Sequence, residues 1–334
     1  MKIDGGIGGL RNAGEMARQQ EDLGYDGLWS AETGHDPFLP LAVAATATER
    51  VELGTSITVA FARNPMTMAM VANDLQLASQ GRFLLGLGSQ IQPHIEKRFS
   101  MPWSKPAARM REFIEAMHAI WKSWNDGEKL EFRGDFYTHT LMTPFFNPGR
   151  NEYGPPKVYI AAVGPLMTRV VGEVCDGLLV HPFSTERYLR EETMPALEEG
   201  LKKAGRSRSD VEVTAPSFVV TGADEAEYNR AAAGVRQQVA FYGSTPAYRP
   251  VLETHGWGDL QSELNMLSKQ GKWTEMGQLI DDEILDAFAV CGEPDEIPTK
   301  LAKRYGDVCD RVSFNLGRYQ DSDRIAEARK ILAG

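Results

Sequence analysis

The sequence predicts an α/β protein of the (β/α)8 (TIM) barrel class, and three observations carry that expectation. Short apolar runs rich in Val, Ile and Leu alternate with helical patterns along most of the chain. Eight of these runs read as strands. The length of 334 residues suits one large barrel with room for insertions. Alternation alone also fits a doubly wound open sheet. No repeat of 20–50 residues and no low-complexity linker divides the chain, so residues 1–334 are read as one domain.

Each element has a local reason. Residues 2–5 give a first strand, and an amphipathic pattern over 12–23 gives a helix stopped by Gly24. Gly27–Ser30 is the second strand, and Pro37 then opens an alanine-rich helix to Thr48. The β-branched run 51–58 is the third. Asn64-Pro65 starts the next helix, with Pro65 at the first helical position, where a missing N–H costs nothing. Residues 83–87 form the fourth strand and 107–124 a long amphipathic helix. At 130–140 the pattern turns about Gly134-Asp135 as a hairpin does, and a loop rich in Pro, Gly and Asn follows to Pro156. The alternation resumes with strand 158–161, helix 165–174, strand 177–180, helix 184–204 and a seventh strand over 211–220. A mostly helical insertion covers 223–289. Helix 294–305, an eighth strand at 311–315 and a helix at 322–332 complete the count, with insertions after strands four and seven.

Composition removes several function classes. Hydrophobic residues make up 42% and charged residues 25%, as in ordinary globular proteins. The net charge of −10 argues against nucleic acid or an anionic membrane as partner, since both require a basic face. No run approaches the roughly 18 apolar residues of a membrane span, and the N-terminus lacks a signal-peptide core, so a cytoplasmic protein is expected. Cys175, Cys291 and Cys309 are widely separated and read as buried, inert thiols. The six histidines show no metal-binding spacing, and neither a GxSxG elbow nor a phosphate-binding GxxxxGK[ST] loop occurs.

In a barrel, chemistry collects where strands end. After the second strand, Glu32, His35 and Asp36 share a tight loop. Glu32 and His35 are candidates for cofactor contact and proton transfer, against the plainer reading of solvated side chains. Asp36 reads as a helix cap. Gly54 in the third strand marks a bulge or a close ligand approach, and Arg63 either holds an anion or caps a helix. Gly86 and Gly88 end the fourth strand, where a planar ring can lie on bare backbone, and Gln90 can offer that ring one hydrogen bond. Their GxG lacks the third glycine of a dinucleotide fingerprint. Ala162, Val163 and Gly164 lead into Pro165 at a helix start, where free N–H groups make a phosphate seat without any basic residue. His181, after the sixth strand, reaches the same mouth, unless it is a capping or solvated histidine. The aromatic residues Tyr242, Tyr248, Trp257 and Trp273 in the insertion suit either its own core or a wall and lid over the substrate.

The segments DGLWSAETGHDPF (26–38), ERVELGTSITVAFARNP (49–65), QGRFLLGLGS (80–89) and PPKVYIAAVGPLMTRVVGEVCDGLLVHPF (155–183) together resemble the bacterial-luciferase-like superfamily of flavin and deazaflavin oxidoreductases. CGEPDEI (291–297) and DRVSFNL (310–316) fit its last barrel turns, so the resemblance covers nearly the whole chain. Within the superfamily the chain looks most like the branch that uses coenzyme F420. The resemblance implies a (β/α)8 barrel, a homodimer, and one flavin or deazaflavin at the strand-end mouth. It implies a non-prolyl cis peptide in the third strand, at Ser56–Ile57 by motif, with Ser56, Ile57, Gly86 and Gly88 lining the ring. The cofactor phosphate would rest on Ala162, Val163 and Gly164, near His181. Sugar-phosphate dehydrogenases of the branch carry an Asp-His pair after strand two and a Glu after the strand-four glycines. Here Ala31-Glu32 and Gln90 stand there instead, which puts sugar-phosphate oxidation in doubt.

Three functions are thus expected in competition. The first is an F420-dependent oxidoreductase moving a hydride to or from a small organic substrate, with Glu32 and His35 handling protons and Gln90 polarising substrate or ring. The second is an FMN-dependent monooxygenase supplied with reduced flavin by a partner reductase. The third is a non-catalytic flavin or deazaflavin carrier.

Overall fold

The computed structural model describes residues 1–216, 218–314 and 321–334. Strands run in the order β1 (Lys2–Gly6), β2 (Gly27–Ser30), β3 (Glu52–Thr55), β4 (Thr58–Val59), β5 (Phe83–Gly88), β6 (Phe132–Arg133), β7 (Thr138–His139), β8 (Lys157–Ala162), β9 (Gly177–Val180), β10 (Glu212–Thr214), β11 (Phe218–Val220), β12 (Ala289–Cys291) and β13 (Arg311–Ser313). Eight of them pair in parallel around a ring, β3-β2-β1-β13-β10-β9-β8-β5, and β5 returns to β3. The sheet is a closed barrel, which excludes the open doubly wound alternative. β4 prolongs β3 after a two-residue interruption and pairs with β5 through Thr58↔Leu87 and Val59↔Gly88. The expected hairpin is present, with Phe132 opposite His139.

The helices are α1 (Ala13–Leu23), α2 (Phe38–Ala47), α3 (Pro65–Ala78), α4 (Pro106–Asp126), α5 (Pro165–Val174), α6 (Glu186–Tyr188), α7 (Met194–Ala204), α8 (Glu225–Gly243), α9 (Arg249–Glu253), α10 (Gly258–Lys269), α11 (Trp273–Gln278), α12 (Asp282–Phe288), α13 (Ile297–Tyr305) and α14 (Ser322–Ala333). Their ends follow the local chemistry read from sequence. Gly24 closes α1 at φ 99°, and the Asn64 side chain accepts the Thr67 N–H at 3.0 Å ahead of Pro65. Cys175 and Cys309 are buried and Cys291 is half-buried, all as free thiols. Among the described residues, no helix is long and apolar enough to cross a membrane.

The sequence reading of the seventh strand needs correction. Run 211–220 divides into β10, which belongs to the barrel, and β11, which leaves it to pair in parallel with β12. Ala215-Pro216 lies between them: Ala215 still donates its N–H to Arg311, but Pro216 has no N–H to extend the ladder. Ser217, and Asn315 of the expected eighth strand, lie outside the described residues.

Two apolar cores result. One lies between the barrel and its helices. The other belongs to the insertion and is built on Phe183, Tyr188, Phe218, Val239, Leu264 and Phe288. It meets the barrel where the chain leaves β9, so it stands over one side of the strand ends.

Inside the barrel the side chains are layered, as strand alternation requires. At the N-terminal end of the strands, Arg311 is fully buried and binds Asp4 through two hydrogen bonds of 2.8 and 2.6 Å. Its third nitrogen reaches Glu52 at 2.5 Å and Glu212 at 3.2 Å, while Lys2 joins the same two glutamates. Above this plug lie Trp29 and Tyr159, edge to face at 5.8 Å, and the Arg311 guanidinium sits over the Trp29 ring at 5.4 Å. Leu84 and Leu179 come next, with Ile57 and Ala161 packed against them towards the mouth.

Candidate active site

The mouth is shaped by the interruption between β3 and β4, where the Ser56–Ile57 peptide is cis, as the resemblance implied. Ser56 donates its N–H to Ser30 at 2.8 Å, and Glu32 donates its N–H to the Ile57 carbonyl at 3.1 Å, tying the bulge to the end of β2. The two glycines of β5 have a structural use that the sequence did not indicate. A Cβ on Gly86 would fall 1.8 Å from the Thr55 carbonyl oxygen, and one on Gly88 would fall 2.8 Å from the Ile57 side chain. They make room for the bulge itself. Thr55 Oγ1 then donates to the Gly86 carbonyl at 2.7 Å and accepts the Gly86 N–H at 2.9 Å.

Glu32 lies beneath this bulge with its carboxylate fully engaged. It accepts the Val59 N–H at 2.7 Å and Arg63 Nη1 at 2.7 Å. Only 8% of the Glu32 side chain is exposed, so it is not a free acid or base here. Arg63 is equally committed: Nη2 binds Asp36 at 3.0 Å and the guanidinium lies 5.6 Å from the Phe38 ring centre. Its charge is balanced by two carboxylates before any anion arrives. Asp36 also accepts the Phe38 N–H at 2.8 Å, the capping role read from sequence. His35 is exposed in the same loop.

Gln90 follows β5 in a left-handed conformation, φ 60°, which costs a residue with a Cβ about 1–2 kcal/mol. Its side-chain oxygen accepts the Ile91 N–H at 3.1 Å. On the neighbouring strand β8, Ala162 is buried, and Val163 and Gly164 lead into α5. A Cβ at Gly164 would meet nothing within 4 Å, and no N-cap side chain bonds the first turn of α5, which begins at Pro165. The Val163 carbonyl accepts the Tyr188 hydroxyl at 3.2 Å.

His181 sits between Tyr242 and Tyr248, with ring centres 4.8 and 5.0 Å away. Its Nδ1 accepts the Phe183 N–H at 3.0 Å, so the imidazole is neutral and its proton is assigned to Nε2. Burial in this aromatic setting pushes the His181 pKa down to about 4. An unfolded histidine titrates near 6.5, so between about 6.5 and 4 the unfolded chain binds the proton more readily. Stability contributed here is complete above about pH 6.5 and is lost as pH falls towards 4. Melting temperatures recorded from pH 7.5 to 4.5 should show a smaller acid-side decline in H181N than in the native chain.

Some of the participants escaped the sequence reading. The Glu32–Arg63–Asp36 cluster joins loops 27 residues apart, and only the placement of charges beside two strand ends hinted at it. Thr185 binds His255 Nε2 at 2.8 Å, pinning the insertion to the segment after β9, and His255 stacks on Trp257 at 4.4 Å. The Arg311 plug was also missed. Its signal was a charged residue at the start of otherwise apolar strands: Lys2, Glu52, Glu212 and Arg311 each occupy that place. Two surface hollows, of about 480 and 280 Å³, lie on the outer side of α4, around Thr143 and Phe146, and hold none of the residues above.

Comparison with known proteins agrees with this architecture. An uncharacterized protein of Mycobacterium tuberculosis, Rv1360, is 58% identical over 313 residues, covering 93% of this chain and 92% of the relative. An F420-dependent glucose-6-phosphate dehydrogenase of Intrasporangium calvum is 31% identical over 220 residues, covering 61% of this chain and 64% of the relative. The coenzyme F420-dependent tetrahydromethanopterin reductase structure from Methanopyrus kandleri superposes with a TM-score of 0.79 at 21% identity, over 98% of this chain and 96% of that one. The family model described as luciferase-like monooxygenase matches residues 2–311, from the first barrel strand to the arginine that opens the last, and the chain belongs to that family.

Proposed function

We propose that this protein is an F420-dependent oxidoreductase acting on a small organic substrate. The observation that carries the reading is the mouth itself: an apolar cluster with Ile57, Ala161 and Leu179 lies towards the strand ends, where β8 runs into the uncapped first turn of α5. Such a cluster fits a flat ring, and such a helix start fits a phosphate. FMN shares both features, and family relatives and structural neighbours include proteins named for either cofactor. When bound, the deazaflavin supplies two-electron hydride chemistry, while the protein supplies orientation and electrostatics.

The roles of the chain's own residues follow. Ser56, Ile57, Gly86 and Gly88 form and support the ring-facing bulge. Ala162, Val163 and Gly164 present the phosphate-binding end of α5, while His181, neutral and packed between two tyrosines, is assigned to the substrate side of the mouth and not to the phosphate. Glu32 and Arg63 position the bulge by holding Val59 and Asp36. His35, exposed in the loop after β2, is assigned the proton transfer, and Gln90 forms the rim after β5. Purified apoprotein is expected to bind F420 at micromolar concentration, and binding of FMN without F420, with O₂ consumption, would favour the monooxygenase reading. E32Q, which keeps an acceptor for Val59, should bind F420 within about threefold of the native chain, whereas E32A should bind at least tenfold more weakly. H35A should bind normally and lose on the order of 10²-fold in kcat, the range for a missing proton carrier. Unchanged turnover in H35A would remove that role and admit a non-catalytic carrier.

We also propose a homodimer, resting on an exposed apolar surface. Leu39 and Val43 on α2, Met70 and Leu77 on α3, and Phe145 and Phe146 beyond β7 are exposed apolar side chains, Phe145 at 90%. Covering such surface favours association. Sedimentation should give a dimer at 10 µM protein (about the concentration used for assays), and the F145D/F146D pair should weaken it at least tenfold.

A further inference from the structure

We propose that the His181–Tyr242–Tyr248 wall seats an uncharged substrate with an aromatic or alicyclic body and a carbonyl or hydroxyl group, and disfavours phosphorylated or carboxylated compounds. This rests on the reading of the mouth as the active site.

The position comes from alternation along β9. Leu179 belongs to the interior cluster with Ile57, so His181, two residues on, belongs to the next layer outward, above the apolar floor. Tyr242 comes from the end of α8, and Tyr248 from the turn Pro246–Tyr248 that follows. Both are half-buried. They are held from behind: Phe183 stacks on Tyr248 at 5.8 Å and on Phe288 at 4.6 Å. The wall is therefore placed before any ligand arrives, which reduces the ordering cost of binding.

Its chemistry is polar without being charged. His181 is neutral, and because Nδ1 is occupied by the Phe183 N–H, the group left to meet a ligand is a donor, Nε2–H. The tyrosine rings add apolar faces. Cations on the flanking segments are already matched: Arg187 with Glu191, Arg190 with Asp307, and Arg249 with Glu253. Across the mouth, Arg63 is matched by Glu32 and Asp36, and Arg98 lies at the outer loop, donating to the Thr33 carbonyl and covering the Phe99 ring. A carbonyl oxygen gains a hydrogen bond at this wall. Among the described residues the wall itself carries no cation, so a carboxylate or phosphate would lose its water there against rings and a neutral imidazole.

The test uses the full chain and three probes by calorimetry or saturation-transfer NMR, with and without F420: acetophenone, benzoate and glucose 6-phosphate. Acetophenone should bind at least tenfold more tightly than either anion. H181A should weaken it at least fivefold, and Y248F, which removes one hydroxyl and keeps the ring packing, should retain the preference for the neutral probe. Absence of acetophenone binding, equal or tighter binding of an anion, or unchanged acetophenone affinity in a folded H181A would overturn the proposal. Because binding is read without cofactor too, a protein that takes acetophenone but not F420 would refute the cofactor assignment and leave this one standing.

Discussion

Replacing Arg311 by Met should destabilise the protein by about 3–5 kcal/mol, the range for breaking a buried ion cluster from one side. The deletion leaves Asp4, Glu52 and Glu212 together in the barrel with Lys2 as their nearest remaining cation. The arginine is fully buried and uses all three of its nitrogens on three carboxylates from three strands, so no water or neighbour can take its place. R311K should not rescue the fold, because one ammonium cannot reproduce the forked contact to Asp4 while also reaching Glu52 and Glu212. Thermal unfolding followed by circular dichroism would report the change. The acid limb should change as well. Burial opposes ionisation of Glu212, yet the Tyr159 hydroxyl, at 2.6 Å, and the Arg311 charge hold its pKa at about 2. That stability is present above about pH 4.5 and lost as pH falls towards 2, and without Arg311 the loss should begin at higher pH. An R311M protein with unchanged melting behaviour would show that the plug contributes nothing.

Gly86→Ala is expected to be nearly as damaging, and for a reason confined to one atom. The added Cβ would sit 1.8 Å from the Thr55 carbonyl oxygen and 2.9 Å from a Leu179 methyl. A methyl can turn aside, but a backbone oxygen in a paired strand cannot, so β3 and β5 must separate where the bulge begins. A cost of about 3 kcal/mol is expected, at the upper end of overpacking effects, together with at least a tenfold loss of F420 affinity. G164A provides the contrast. Its Cβ would meet nothing within 4 Å, and the residue has φ −83°, which alanine adopts freely. Its effect on stability should stay within about 0.5 kcal/mol. If G86A and G164A melted alike, the close approach would not be the reason for the glycine.

The barrel was legible because its signals are local. Gly24, Asn64-Pro65 and the β-branched third strand each report a boundary through their own backbone preferences, and the period of strand and helix does the rest. The break of β10 from β11 was hidden, since Val213 and Val219 look alike as strand residues and only the pairing partner differs. Of the candidate site, the strand-end residues were legible and their bonding partners were not. Gly86 and Gly88 were noticed for the right property, a missing Cβ, but what fills the space is Thr55 and Ile57. Glu32 was noticed as a carboxylate at a strand end; that Val59 and Arg63 occupy it depends on a chain crossing that no spacing reveals. Arg311 lay in a run read simply as a strand, because burial of a charge becomes visible only when three distant carboxylates converge on it.

The insertion carries its own apolar core, yet it contributes two of the three side chains in the proposed substrate wall. It is fastened to the barrel by Thr185 to His255, by the shared ring stack of Phe183 and by Arg304, which donates to the Ala289 and Asp286 carbonyls. The barrel and the insertion can therefore diverge at different rates. On the proposed function, exchange within 223–289 would alter what the protein accepts while the floor of the mouth and the charged plug stay as they are, placing chemistry and selectivity on separate parts of one chain.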